Sequence, residues 1–401
     1  MLRTRRGFFD ALAVRSGGGT AALLAARGHE AYVAELQSQT RTRRPPLPPG
    51  VTEIRLSSNE NPLGPGRNVL DAIVGQFPEA GRYPFNSTPA DSNLVAAIAA
   101  LHKVKPENVV LGAGSQEILK SAVRAFTTPE RGLVTASPTF ENPTSTAKRL
   151  GHPVNEIPVD SAFKLDVEAM IAAAPGAGLV FFNNPNNPTA TVHGATTVTG
   201  FVERVRKASP ETAILIDEAY HEYVMDPSYA TAIPVALQTP NVLVARTFSK
   251  AYGMAGMRIG YGIGAADTIK RLARYKMPYN ISVFGVVAAL TALEDAAYLE
   301  QERRRNTEVR GFTMKILEDL GCKCTASEAN FLFVEVGRTA KDFRDACAKH
   351  GVMVGRDFPP FEKTHARISI GTMDEMKKAA EAFRSALKTS TVAGGQEASW
   401  L

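Results

Sequence analysis

Between residues 109 and 263 one pattern recurs: a short apolar run, a turn rich in glycine, asparagine or aspartate, then apolar residues at helical spacing. Val109-Val110-Leu111, Leu133-Val134-Thr135, Leu179 to Phe182, Ala213 to Ile216, Val242 to Ala245 and Arg258 to Ile263 read as buried strands. Ser115 opens a helical stretch in which Ile118, Leu119, Ala122, Val123 and Phe126 share one side. Such alternation argues for a mostly parallel sheet covered by helices on both faces, with ligands at the carboxyl ends of its strands.

Beyond Ile281, helical patterns run to about Leu320. A smaller α+β segment follows: strand Phe331 to Val336, helix Thr339 to His350, strand Arg367 to Ile370 and helix Asp374 to Leu387. The 401 residues suit two domains. The expected division is a segment 51–82 that contributes to the small domain and the site, a large domain 83–290, a small C-terminal domain 291–388 and a flexible tail 389–401. Residues 1–50 stand apart as an arm ending in the stiff stretch Arg43 to Gly50. Within it Thr4-Arg5-Arg6-Gly7-Phe8-Phe9 resembles a twin-arginine export signal, although Arg15 and Arg27 interrupt or flank any apolar region. A cytoplasmic location is expected, with export as the alternative.

The net charge of +6 comes largely from arginines in the first forty-four residues, which is no nucleic-acid stripe on a folded face. No run reaches the ~18 apolar residues of a membrane helix. Three cysteines and seven scattered histidines lack ligand spacing, so reduced thiols and no metal are expected.

Chemistry-bearing residues fall at the strand ends. Lys250 follows Val242 to Ala245, with hydroxyls at Thr247 and Ser249 before it and Arg258 after it. An amine beside hydroxyls and a guanidinium can hold an aldehyde as a Schiff base and a phosphate next to it, the two groups that pyridoxal phosphate (PLP) carries. Gly112-Ala113-Gly114-Ser115-Gln116 joins a strand to a helix start, where free N–H groups and the helix dipole favour a phosphate. Asn187 lies in an Asn/Pro turn and can aim an amide at a phenolate oxygen. Asp217 ends the strand Ala213 to Ile216. A carboxylate there is either a helix cap or the partner of a cation such as a pyridinium nitrogen. Each segment alone has an ordinary reading as a turn or a cap; their order along the chain does not.

That order resembles the class I/II aminotransferases of PLP fold type I, and most closely the histidinol-phosphate aminotransferases. The resemblance runs from about Ile54 to Leu387 through Leu56 to Pro65, Arg82-Tyr83-Pro84, the turn at Gly112, Asn187-Pro188-Thr189, Asp217-Glu218-Ala219-Tyr220, the Lys250 segment and Ala366 to Thr372. It implies that Lys250 forms the Schiff base and shuttles protons, that Asp217 pairs with the pyridine nitrogen, and that Asn187 and Tyr220 bind the ring hydroxyl. Phe140 would stack on the ring, while Gly114, Ser115, Gln116, Thr247, Ser249 and Arg258 would hold the phosphate. Tyr83 would reach the neighbouring subunit's phosphate, which implies a homodimer with shared sites. Arg367 would clamp the substrate carboxylate in a bidentate pair. Asn61 and Arg356 complete the expected substrate contacts.

The resemblance implies transfer of an amino group to a 2-oxo acid such as 2-oxoglutarate. Two positions depart from the family pattern. Gln116 stands where Asp or Asn is usual, and Gly355 to Phe361 replaces a Val/Leu-Arg and a short loop. Arg356 could be the substrate-phosphate arginine displaced by one residue, or part of an aromatic-lined pocket. Histidinol phosphate and an unphosphorylated, aromatic amino acid therefore both stay open. The other readings are a broad-specificity aminotransferase, a PLP-dependent decarboxylase of amino acids or their phosphates, and a non-catalytic PLP-binding regulator.

Overall fold

The short first strand, β1 (Ile54–Leu56), pairs in parallel with β11 (Val352–Val354), nearly three hundred residues away in sequence. This computed structural model describes residues 53–84 and 90–388. The arginine-rich arm, where the resemblance to a twin-arginine signal falls, the proline-rich stretch and the tail from 389 lie outside the described residues.

Seven strands form the central sheet: β2 (Val109–Ala113), β3 (Leu133–Ser137), β4 (Val154–Pro158), β5 (Leu179–Asn183), β6 (Ala213–Asp217), β7 (Val242–Thr247) and β8 (Ile259–Gly264). Their order is β2-β8-β7-β6-β5-β3-β4. From β4 to β7 all pairs are parallel, whereas β8 runs antiparallel to both β7 and β2. Every residue of β5, β6 and β7 is buried, which is why they read as unbroken apolar runs. Helices cover both faces, and the two apolar cores flank the sheet: Val180, Phe182, Ile214, Ile216 and Val244 face one, Leu179, Phe181, Leu215, Leu243 and Ala245 the other. The alternation follows from the two-residue period of a strand.

Several boundaries differ from the sequence reading, most by one or two residues. β8 starts at Ile259, because Arg258 has the left-handed φ of 58° and cannot continue a strand. β7 runs on to Thr247, and the helix after Thr339 stops at Ala348. The half-exposed edge strand β4, Val154-Asn155-Glu156-Ile157-Pro158, escaped notice because it lacks an apolar run.

A second core lies around Leu332, Val334, Phe343, Ile368 and Phe383, and includes Ile54 and Leu56. Here β9 (Lys323–Cys324), β10 (Phe331–Glu335) and β12 (His365–Ser369) form an antiparallel sheet in the order β12-β10-β9. The helix Ala296–Asp319 carries buried polar groups. Glu302 accepts from Tyr223 (2.8 Å) and from Arg305, whose Nη1 donates to the carbonyl of Gly371 (2.6 Å). All three cysteines are free, and among the described residues no helix is long and apolar enough to cross a membrane.

The antiparallel turn of β8 brings Gly260 against the start of the helix Ser115–Phe126. A Cβ added at Gly260 would lie 2.3 Å from the backbone N of Ser115 and 2.6 Å from the carbonyl carbon of Gly114. Both neighbours are backbone, so Gly260→Ala should cost about 1–3 kcal/mol of overpacking, seen as a lower urea midpoint of the cofactor-free protein. An unchanged midpoint would mean that helix and strand separate freely.

Candidate active site

The carboxyl ends of β5, β6 and β7 face one recess, beside the turn that leaves β2. At that turn Gly114 has φ 73°, and the helix Ser115–Phe126 starts with no side-chain cap. Its first N–H groups are therefore left to meet a ligand. A Cβ at Gly114 would come within 2.5 Å of Nη2 of Arg258, so only glycine lets the guanidinium lie over the turn. Arg258 donates from Nη1 to Oγ of Ser249 (3.4 Å) and to the carbonyl of Ala255 (2.8 Å), and Oγ1 of Thr247 donates to Ser249 (3.0 Å). Gly114, Ser115, Thr247, Ser249 and Arg258 thus converge into a cradle for an anion. Gln116 occupies the exposed side of the same helical turn. Tyr83 stands at the surface with its ring 4.7 Å from that of Tyr279.

Register places Asn183 opposite Asp217 and Asp217 opposite Ala245. Asp217 is almost waterless, and burial raises its carboxyl to about 7 against the opposing pull of the Ala219 N–H and of Lys250. Lys250 reaches into the recess from the turn after β7. Its Nζ donates to the carbonyl of Ser58 (3.2 Å) and lies 5.5 Å from the Tyr220 ring centre. Desolvation, aided by the charge of Arg367, lowers the ammonium to about 8. Phe248, fully buried beside it, anchors the turn in the core. Tyr220 accepts from Nδ2 of Asn59 (3.1 Å), and burial pushes its phenol up to about 12. Phe140 packs on the apolar face that includes Phe181 and Leu215.

Opposite this group, β12 presents Arg367. Its Nη1 donates to Oδ1 of Asn187 (2.7 Å) and its Nη2 to the carbonyl of Ser57 (2.6 Å), while buried Nε has no protein partner. Burial lowers Arg367 to about 10, partly offset by Tyr220. The segment after β1 is the link: Ser57 holds Arg367, Ser58 holds Lys250, and Asn59, at φ 54°, exchanges hydrogen bonds with Ser369 (2.8 Å).

Asn61, expected from the resemblance to touch the substrate, has its amide bonded within the protein. Its Nδ2 donates to the carbonyl of Ala251 (2.9 Å) and to Tyr298 (3.2 Å), and its Oδ1 accepts from the N–H of Leu63 (2.9 Å). With its amide so engaged it braces the loop behind Lys250. Two residues earlier in the same motif, Asn59 is the asparagine that reaches the site, and the motif alone does not say which of the two turns inward. Arg356 stands 2.5 Å from Glu141, with its guanidinium 4.2 Å from the Phe358 ring centre. Glu141 was not legible, since nothing in Phe140-Glu141-Asn142 marks it. On the far side of β7, Arg246 pairs with Glu218 (2.8 Å) and Glu222 (3.3 Å), all nearly fully buried, and so ties down the end of β6 beside Asp217.

The family model of aminotransferase class I and II matches residues 51–383. The chain belongs to that family. It is 36% identical over 340 residues to the histidinol-phosphate aminotransferase of Moorella thermoacetica, covering 83% of this chain and 85% of the relative. A crystal structure from Erwinia carotovora atroseptica superposes with a TM-score of 0.80 at 33% identity, covering 84% of this chain and 97% of the other. The histidinol-phosphate aminotransferase of Sinorhizobium meliloti in complex with pyridoxal-5'-phosphate gives 0.77 at 28% identity, covering 84% and 92%. The fold is that of the PLP-dependent transferases of type I.

A lowered amine is a free nucleophile above its own midpoint. Capture of PLP by the cofactor-free protein should therefore rise through about pH 8 and level off above it, instead of climbing toward the ~10.4 of a solvated lysine. Arg367→Gln removes a repelling charge and should move that midpoint up, as read from the rate of absorbance change on mixing.

Proposed function

We propose that the recess binds PLP through Lys250 and that the chain transfers amino groups between an amino acid and a 2-oxo acid. One observation carries the reading: a buried carboxylate and a lowered amine share a chamber with an anion cradle on one side and a buried arginine on the other. These residues fit PLP. Gly114, Ser115, Thr247, Ser249 and Arg258 would hold its phosphate, Gln116 would add a contact at the rim, Phe140 would cover the ring, and Asn187 and Tyr220 would meet the ring hydroxyl.

Bound PLP supplies an aldehyde that condenses with amines and a ring that stores an electron pair. The protein's own groups do the rest. Asp217 is costly as a buried lone carboxylate and gains a counter-charge by holding a proton on the ring nitrogen. The incoming substrate amine would take the place of Lys250 on the cofactor, and the freed Lys250 amine would then carry a proton between two carbon positions, which a midpoint near 8 suits. Asn187 spends its Oδ1 on Arg367 and so keeps its NH2 to donate. Arg367 binds the substrate carboxylate, with Nε still free for it.

A second reading has histidinol phosphate as the amino donor. It is supported by the names of the relatives and by Arg356 as a second cation near Arg367. We place the working enzyme in the cytoplasm as a homodimer in which Tyr83 contributes to the neighbouring site. The exposed Phe77, Tyr83, Met277 and Tyr279 support that contact. The two cores support a large domain 83–290 and a small domain 291–388 joined by the segment 51–82.

Incubated with single amino acids, the holoenzyme should yield the 2-oxo acid and the cofactor in its amine form. An amine and CO₂ would identify a decarboxylase instead. Arg367→Lys keeps the charge but loses the planar fork, so KM for amino acids should rise roughly tenfold to a hundredfold with PLP still bound. If amines without a carboxylate suffered equally, Arg367 would serve only the fold.

A further inference from the structure

Two arginines flank one ring at the substrate side of the recess. The guanidinium carbon of Arg356 lies 4.2 Å from the centre of Phe358 and that of Arg367 lies 4.8 Å from it. They are adjacent because the N–H of Gly355 donates to the carbonyl of Arg367 (2.8 Å), which sets the loop after β11 directly on β12. Arg367 is held by Asn187 and Ser57, and its buried Nε has no protein partner and stays available to a ligand. Arg356 differs. Its Nη2 meets Oε2 of Glu141 at 2.5 Å, so it already has an anion. Glu141 directly follows Phe140 and precedes the helix Asn142–Arg149, so it comes from the large sheet's side while Arg356 comes from the second core's side. Its charge also reaches inward. Arg367, lowered first by burial, feels Arg356 as a repelling charge and Glu141 as an attracting one.

We infer that Glu141 is a specificity-determining residue: a built-in counter-anion on Arg356 that selects amino donors and 2-oxo acids without a second negative charge, aromatic side chains foremost. This rests on the proposed aminotransferase reading and narrows its substrate class. A substrate with one carboxylate takes Arg367 and leaves the Glu141–Arg356 pair whole, and its neutral side chain can lie against Phe358. A dicarboxylate or a phosphate-bearing donor must evict Glu141 from Arg356 and then sit beside a displaced like charge. The pair is half-exposed, so the barrier is graded and not absolute.

Unreactive acids read this directly. Phenylpropionate carries one carboxylate and glutarate two, and each can be titrated into holoenzyme by competition and by its effect on cofactor absorbance. The wild-type protein should favour phenylpropionate. Glu141→Gln, nearly the same shape without the charge, should shift the ratio of the two dissociation constants toward glutarate by about twofold to fivefold, the worth of a half-exposed pair. Adding Arg356→Gln should cancel that shift. An unchanged ratio in Glu141→Gln, or a shift that survives loss of Arg356, would overturn the inference while leaving the aminotransferase reading intact. A holoenzyme that bound neither acid and transaminated no amino acid would instead overturn the parent reading, and the inference with it.

Discussion

Withdrawal of Asp217 and Arg367 from water, with Lys250 partly buried beside them, is the constraint on which the site depends. A charge taken into a low-dielectric recess costs several kcal/mol unless something opposite meets it. Here the cost shows as displaced titration: the carboxyl raised to about 7, the amine lowered to about 8, the guanidinium lowered to about 10, each chiefly by burial. Each group stays hungry for a partner of the right sign. On the proposed function, a cofactor with a basic ring nitrogen, an aldehyde and a phosphate, followed by a substrate with a carboxylate, would satisfy all of them.

The scaffold keeps this tension from relaxing. Parallel strands β5, β6 and β7 end at one level, so polar residues just past their ends share an edge while apolar side chains fill both cores behind them. Arg246 and its two glutamates fix the β6 end from behind. From in front, the segment after β1 uses backbone carbonyls at Ser57 and Ser58 to hold Arg367 and Lys250, and carbonyls do so without adding a charge that would cancel either group. Asn59 closes the loop between Tyr220 and Ser369.

The charges near the substrate are unequal in role because they are unequal in partners. Arg367 is oriented by neutral acceptors and keeps its full charge for a ligand. Arg356 is matched by a carboxylate. Two cations close together repel each other, and Glu141 offsets part of that repulsion.

Much of this was legible in the residues. Short apolar runs dictated a parallel sheet, because strands buried on both faces carry few polar positions; Gly114 announced the turn at the start of the helix Ser115–Phe126, and Lys250, Asp217 and Arg258 stood at strand ends, as the pattern implied. The strand β4 was hidden because an edge strand keeps no apolar run, and Arg258 ended outside β8 because its positive φ is set by the turn it closes. Residues distant in sequence were decided by tertiary structure alone. Asn59 bonds Tyr220 and Ser369 while Asn61 bonds Ala251 and Tyr298, a division of partners that no local pattern sets, and Glu141 meets Arg356 because loops from two cores come together. Local pattern records what a segment buries; which polar group it then meets depends on where the rest of the chain places its partner.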